Sequence, residues 1–244
     1  MRAFQRGKAL LGALALGFVC AAGAQAQTYN ITSVGWTSNP GYVIGPVDYP
    51  GLGAHGEMES RIGPSVLKGT DSSGGAVSLK TWCIDLVDTL HADTFTATDI
   101  AHSGFDATKL NEVATFLENA QPLAVDNTSA AAVQLGIWEI LYEDSGTWNA
   151  ASGTFNSPRL PAVTGLANTW LADLADNDWK ADPSLRLEVL VPGGINQAQV
   201  RLVAASQSIG AVPEPATWAM MVAGFGLAAA AMRRGKIREA EATA

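Results

Sequence analysis

The chain has 244 residues, of which 48% are hydrophobic, and a formal net charge of −8. Residues 27–211 contain 8 basic against 20 acidic side chains, which gives that stretch a formal charge of −12. An acidic surface of this kind repels phosphate backbones, so the composition argues against a nucleic-acid partner. The stretch is long enough for one domain with a sizeable core.

Residues 1–26 have the features of a secretory signal peptide. Three basic residues stand within the first eight positions, an apolar run covers Ala9–Val19, and small residues at Ala24–Ala26 form a cleavage site. The run is too short to span a bilayer comfortably. Cys20 raises a lipoprotein signal as an alternative, but the residues before it do not form a lipobox. Cleavage after Ala26 is therefore the prediction.

The first part of the exported body, up to about residue 98, is rich in turn-forming residues between short β-prone runs. Two more runs with alternating hydrophobicity follow after residue 184. Glycine, proline and aspartate clusters bound these runs, as is typical of strands. The predicted strands are Tyr29–Trp36, Glu57–Ile62, Ala76–Leu86, His91–Thr98, Leu185–Val191 and Gln199–Ala205.

The middle of the body has helical periodicity. Asp106 is placed to cap a first helix that ends before Pro122. A second helix is predicted from Asn127 or Thr128 to Tyr142, and a third after Pro161, which suits a first helical turn. The sequence therefore predicts a single α+β domain, with N-terminal and C-terminal strands around a central group of about three helices.

The predicted body contains one thiol, Cys83, because Cys20 lies in the signal peptide. An internal disulfide is then impossible, so the thiol is buried and inert, joined to another chain, or committed to other chemistry. Gln134 adjoins the apolar face of the second helix, where an unpartnered amide costs about 1–3 kcal/mol. Gly136 costs that helix about 1 kcal/mol relative to alanine, so we expect another group to approach its backbone closely.

Two short windows resemble the Cys–Gln thioester domains of bacterial surface adhesins. Trp82–Asp85, with sequence Trp-Cys-Ile-Asp, matches the segment that supplies the thiol. Gln134–Trp138 matches the segment that supplies the amide, with Gly136 where that family has alanine and Val133 where it often has threonine.

This resemblance implies a thioester between Cys83 and Gln134. The Cys83 thiolate would attack the side-chain carbonyl of Gln134 and expel ammonia. Enclosure by Trp82 and Trp138 would keep water away, and a partner nucleophile such as a lysine amine would then become covalently joined. The alternative is that Cys83 is a small buried hydrophobe and Gln134 a satisfied polar residue of a packed helix.

The C-terminal segment predicts a membrane anchor. Pro213, Glu214 and Pro215 form a rigid break, and Ala216–Met232 is an uncharged apolar stretch of 17 residues, near the lower limit for spanning a bilayer. Arg233 and Arg234 open a cationic stop that stays cytoplasmic under the positive-inside rule, and Trp218 stands at an interfacial position. We expect a transmembrane helix at 216–232 with the body outside.

Residues 212–238 resemble the PEP-CTERM sorting signal, also known as the ice-binding protein C-terminal domain. The matching residues are Pro213, Glu214, Pro215, Trp218, Arg233 and Arg234. The resemblance implies a Gram-negative host that makes exopolysaccharide, and an exosortase, a membrane protease that cuts near the Pro-Glu-Pro. It also implies transient anchoring in the inner membrane, with the body in the periplasm, before delivery to the cell surface or extracellular matrix.

Signals for enzymatic chemistry are weak. The three histidines lack metal-ligand spacing, and the sequence has neither a Gly-x-Ser-x-Gly elbow nor a phosphate-binding glycine loop. We therefore expect a non-enzymatic protein with no metal or cofactor. Two functions stay open: a covalent adhesin that joins a surface amine through Cys83 and Gln134, or a non-covalent structural or glycan-binding component of an exopolysaccharide matrix.

Overall fold

The computed structural model describes residues 27–52 and 57–207. The predicted signal peptide at 1–26 and the predicted transmembrane helix at 216–232 lie outside these residues. Within 27–52 and 57–207, no helix is both long and apolar enough to cross a membrane.

The described chain combines eight strands with three helices, so the expected mixture of strands, central helices and strands is confirmed. Strands lead the chain, the helices follow, and two strands close it. The elements are β1 (Thr28–Trp36), β2 (Val43–Asp48), β3 (Glu57–Ile62), β4 (Ser65–Asp71), β5 (Ala76–Cys83), β6 (Thr94–Thr98), α1 (Ala107–Ala120), α2 (Asn127–Tyr142), α3 (Pro161–Ala175), β7 (Leu185–Pro192) and β8 (Gln199–Ala204).

Six strands form a closed antiparallel barrel in the order β1-β4-β5-β8-β7-β6, while β2 and β3 form a separate hairpin. The barrel closes where Thr28–Asn30 of β1 pairs with Thr94–Thr96 of β6. Closure of this kind leaves no unpaired sheet edge in the barrel. The sequence prediction missed both β2 and β4, and with them the barrel.

The helix boundaries follow their local signals. The Asp106 side chain accepts from the backbone N–H groups of Thr108 and Lys109, and α1 ends before Pro122, as expected. Asp126 and Ser129 form a capping box at the start of α2. Pro161 occupies the first turn of α3, where its missing N–H costs nothing.

Helix α2 is the centre of the main hydrophobic core. Twelve of its residues, from Ser129 to Ile140, are buried, because α1, α3, β2, β3 and β5 all pack around it. A helix buried on every side has no solvent face on which to place a polar side chain. Any polar residue in this run must therefore find its hydrogen-bond partners inside the protein.

Candidate functional site

The candidate site lies where the end of β5 meets the middle of α2. β5 ends at Cys83, which pairs in register with Gln199 of β8. The next residues leave the barrel and are tied to the end of α2, because the Tyr142 hydroxyl accepts from Leu86 N–H (3.1 Å) and donates to the Ile84 carbonyl (3.2 Å). Strand end and helix are thus held together on the C-terminal side of Cys83.

The structure brings the two predicted thioester residues into direct contact. Cys83 N–H donates to Gln134 Oε1 at 3.0 Å, and Gln134 Nε2 donates to the Cys83 carbonyl at 2.8 Å. Gln134 is fully buried. The two bonds fix the plane of the amide, and the backbone N–H polarises its carbonyl as an oxyanion-hole donor would.

The Cys83 thiol is buried in the same place. Its side chain is 6% exposed, and Sγ donates to the Asp85 carbonyl at 2.7 Å. Burial raises the pKa of the Cys83 thiol far above its ordinary value, while the Asp85 backbone and the Trp138 indole shift it in the opposite direction. The resting thiol is therefore neutral.

The Asp85 carboxylate bonds the backbone that follows Cys83 and forms no hydrogen bond with the Gln134 amide among those described. Its carboxylate accepts from the backbone N–H of Val87 at 2.9 Å and of Asp88 at 3.3 Å, which closes a turn. The backbone carbonyl of Asp85 also accepts from Gln197 Nε2 at 2.7 Å. The carboxylate thus holds the loop that carries the thiol's hydrogen-bond acceptor.

The two tryptophans nearest to the contact along the chain are both buried. Trp82 is fully buried and Trp138 is 2% exposed. Trp82 Nε1 donates to Gln121 Oε1 at 2.9 Å, whereas Trp138 Nε1 is buried without a hydrogen-bond partner among the described residues. An unpartnered buried donor costs about 1–3 kcal/mol, so the Trp138 N–H requires a reason.

A cavity of about 470 Å³ opens beside Cys83 and Trp138. Its wall combines aromatic, apolar and charged groups of the β2–β3 hairpin, β1 and the loop after β5. Lining residues with a bearing on chemistry are Trp36, Met58, Glu59, Arg61, Asp88 and Gln197. The volume lies within the usual range for ligand pockets, so a partner side chain has room to approach the thiol from this side.

The glycine expected to permit a close approach does so. A Cβ at Gly136 would lie 2.2 Å from Cζ of Phe116, a fully buried ring of α1. The ring therefore occupies the space that a side chain would need, and it brings α1 against the segment of α2 that carries Gln134. The prediction made from the helix-interior glycine is confirmed.

Glu139 is a buried acid that sequence reasoning missed. Its Oε1 accepts from Asn149 N–H at 2.6 Å, and its Oε2 has no partner among the described residues. Burial, with a smaller contribution from the Glu143 charge, raises the pKa of Glu139 to about 7. The carboxyl holds the loop after α2 and does not contact Cys83 or Gln134 through any hydrogen bond described.

A second cavity, of about 650 Å³, lies between α1, the loop after α2 and the end of α3. Half-buried Trp148 and Trp179 line it together with amide, hydroxyl and charged side chains. We call this surface the tryptophan groove; its polar members are Thr108, Asn111, Glu112, Thr115, Ser145, Asn177 and Lys180.

Other charged residues and a histidine have simpler surroundings. Glu57 forms an exposed ion pair with Arg159. His102 binds the neighbouring Asp99 at 2.7 Å. Over the described ranges, no three His, Cys, Asp or Glu side chains are grouped as a metal site.

Comparison with known proteins adds one finding about the C-terminus and one about the body. Residues 211–235 match the PEP-CTERM protein-sorting motif. The match covers all six predicted sorting residues, from Pro213 to Arg234, which lie outside the described structure. The motif implies an exported protein that is processed by an exosortase, a membrane protein, and sorted to the cell surface or matrix.

Among solved structures, this chain is similar to the N-terminal domain of the Streptococcus pyogenes pilus tip adhesin Cpa. The TM-score is 0.42 and the sequence identity 11%, over 69% of this chain and 95% of that chain. No curated protein matches this chain.

Proposed function

We propose that the protein is a non-enzymatic covalent adhesin, sorted by an exosortase and armed with a thioester between Cys83 and Gln134. The contact between these two residues carries the proposal. Both hydrogen-bonding groups of a fully buried glutamine amide are committed to the backbone of the one cysteine in the described chain. This arrangement supports a reaction between the thiol and the amide carbon.

Thioester formation conserves all atoms. The Cys83 sulfur bonds to the Gln134 side-chain carbonyl carbon, the carbon–nitrogen bond breaks, and ammonia leaves with the thiol proton. Cys83 N–H, already bonded to Oε1, stabilises the charge that develops on that oxygen. Because the thiol is neutral at rest, its proton is transferred during the reaction and not before it.

The same site supports the second step. A partner amine entering through the cavity beside Cys83 would attack the thioester carbon, form an amide with Gln134 and release the Cys83 thiol. Buried tryptophans around the bond slow hydrolysis by limiting access of water. Each molecule reacts once, so the protein is a covalent binder without turnover.

Delivery depends on the C-terminal motif. We propose that the apolar stretch at 216–232 holds the protein transiently in the inner membrane, with the body in the periplasm, until exosortase cleavage near Pro213–Pro215. Expression of a chain ending at residue 211 tests this step. Release of the truncated chain into the medium, with the full-length chain retained, is the expected result; equal retention of both would contradict it.

The thioester is tested by the intact mass of the exported body. We expect a mass lower by one ammonia, no alkylation of the folded protein by iodoacetamide, and addition of methylamine on incubation with that amine. Cys83→Ser is the matched control, because it keeps the fold and removes the sulfur. A mass equal to that of the unmodified sequence, together with a thiol that iodoacetamide alkylates, would rule the thioester out.

The tryptophan groove favours a second function, non-covalent binding of glycans. Trp148 and Trp179 offer aromatic faces, and Asn111, Asn177 and Glu112 offer the planar polar groups that bond sugar hydroxyls. Titration with fragments of the host's exopolysaccharide tests this function. Trp148→Ala with Asn111→Ala should abolish binding, while Trp36→Ala, on a half-buried tryptophan that lines other cavities, should not. Equal binding by both variants would contradict it.

A further inference from the structure

Trp138 Nε1–H is a hydrogen-bond donor buried without a partner in the described structure. Buried donors in native proteins are nearly always paired, and the indole of buried Trp82, next to Cys83 in the chain, follows the rule through Gln121. The indole ring of Trp138 is itself well packed, with its centroid 6.1 Å from that of Phe155. Poor packing therefore does not account for the unpaired N–H.

The position of Trp138 points to the sulfur as the missing acceptor. Trp138 follows Gln134 by one helical turn, and residues four apart lie on the same face of a helix. Trp138 and Cys83 line the same cavity. The Trp138 indole also lowers the pKa of the Cys83 thiol, against the larger effect of burial, as a donor near the sulfur does.

A neutral thiol is a weak acceptor, so this donor is almost unused in the resting protein. Its partner improves as the sulfur gains negative charge. That charge develops twice: when Cys83 sulfur attacks the Gln134 carbon, and when a partner nucleophile expels the sulfur from the thioester. Hydrogen bonds to charged acceptors are roughly twice as strong as those between neutral groups.

We propose that the indole N–H of Trp138 stabilises the Cys83 sulfur as it attacks the Gln134 carbon and as it leaves the thioester. The inference rests on the proposed function and assigns a separate role within it. Cys83 N–H serves the oxygen of the reacting carbonyl, and Trp138 serves the sulfur. One donor is thus available for each atom on which charge develops.

The test replaces Trp138 by phenylalanine, which keeps an aromatic ring against Phe155 and removes the N–H. Trp148→Phe is the matched control, because Trp148 Nε1 is also buried without a described partner but lies in the tryptophan groove. We expect Trp138→Phe to slow both thioester formation and opening by methylamine by about tenfold or more, and Trp148→Phe to leave both rates unchanged. Equal rates in all three proteins would overturn the proposal.

A second measurement separates this proposal from the thioester itself. In a Gln134→Ala background no thioester can form, and the pH dependence of Cys83 alkylation reports the thiol directly. Adding Trp138→Phe should move that dependence to higher pH, whether or not the wild-type protein contains a thioester. An unmoved profile would overturn the role of Trp138 alone.

If Trp138→Phe does not fold, benzothienylalanine at position 138 keeps the two-ring shape and replaces N–H by sulfur. The expected slower reaction and shifted alkylation profile are the same. Wild-type behaviour of this variant would contradict the proposal and indicate that Trp138 acts through its bulk.

Discussion

Two glutamines are fully buried on either side of the end of β5, and their surroundings differ in kind. Gln199 on β8 accepts at Oε1 from Ser65 Oγ (2.9 Å) and Thr81 Oγ1 (3.0 Å), and its Nε2 donates to Gln197. Gln134 on α2 bonds only the backbone of Cys83. Burial of an amide is therefore ordinary in this protein. Direct hydrogen bonds to the residue that carries the thiol are what make Gln134 a chemical candidate.

The comparison also separates a complete hydrogen-bond network from an incomplete one. Around Gln199 the Ser65 and Thr81 hydroxyl oxygens also lie 2.7 Å apart, so each of these polar groups has a partner within hydrogen-bond distance. Around Gln134, the Trp138 donor is left without a partner. A complete hydrogen-bond network stabilises the fold, whereas an unpaired donor near the Cys83 sulfur can form a hydrogen bond when that sulfur becomes negatively charged.

The largest effect should come from replacing either glutamine by alanine. Gln199→Ala removes three hydrogen bonds and leaves a cavity, which should lower the free energy of unfolding by about 2–4 kcal/mol. Gln134→Ala should lower the free energy of unfolding by a similar amount through its lost hydrogen bonds. It should also remove a covalent link between positions 51 residues apart, and by analogy with disulfides this loss adds about 4 kcal/mol. Chemical denaturation measures both.

The two variants must also differ in chemistry. Gln199→Ala should keep the mass deficit of one ammonia, and Gln134→Ala should lose it. If both variants lacked the mass loss of one ammonia, thioester formation would depend on both glutamines, and the distinction drawn between them would be wrong.

A smaller effect tests how α2 is held in place. Gly136→Ala forces a Cβ into the Phe116 ring, so we expect a loss of about 1–3 kcal/mol in the free energy of unfolding despite better helix propensity. Gly165→Ala in α3 meets no atom within 4 Å and should gain up to about 1 kcal/mol. Thermal unfolding of the pair measures the difference; a stabilising Gly136→Ala would contradict the packing described.

The smallest effect concerns the loop after α2. Because the pKa of Glu139 is about 7 in the folded protein and ordinary when unfolded, its contribution to stability falls as pH rises from about 4.5 to 7. Glu139→Gln keeps the acceptor for Asn149 N–H and removes the charge, so it should stabilise the protein by about 1–3 kcal/mol at pH 8 and little at pH 4.

Glu112→Gln, at a half-buried acid of α1, is the control for that series. It should keep the wild-type dependence of stability on pH, measured by thermal unfolding across the range. If Glu139→Gln were more stable than the wild type by the same amount at pH 4 and pH 8, the claim that burial destabilises the charged form of Glu139 would be wrong.

Local signals predicted the helices well. Asp106 and Pro161 mark helix starts through caps and first-turn geometry, which depend on a few neighbouring residues. The barrel escaped prediction because its closure pairs β1 with both β4 and β6, which are distant in sequence. β2 carries Gly45 and Pro46, which are typical of loops, so its pairing with β3 had no clear sequence signal.

The site was predicted in part for a similar reason. Resemblance to thioester domains named Cys83 and Gln134, and the structure places them in contact. No sequence pattern indicated Glu139, because its burial depends on the loop after α2, which supplies the N–H of Asn149. The unpaired state of Trp138 Nε1 likewise depends on every neighbour around it, which no single stretch of sequence specifies.

The most direct test of the central claim is tandem mass spectrometry of a tryptic digest kept at mildly acidic pH. Cys83 falls in peptide 81–109 and Gln134 in peptide 110–159. We predict that the two peptides are recovered linked, with a joint mass lower by one ammonia, and that methylamine separates them and marks Gln134. Separate peptides, with Cys83 alkylated and Gln134 unchanged, would contradict the thioester.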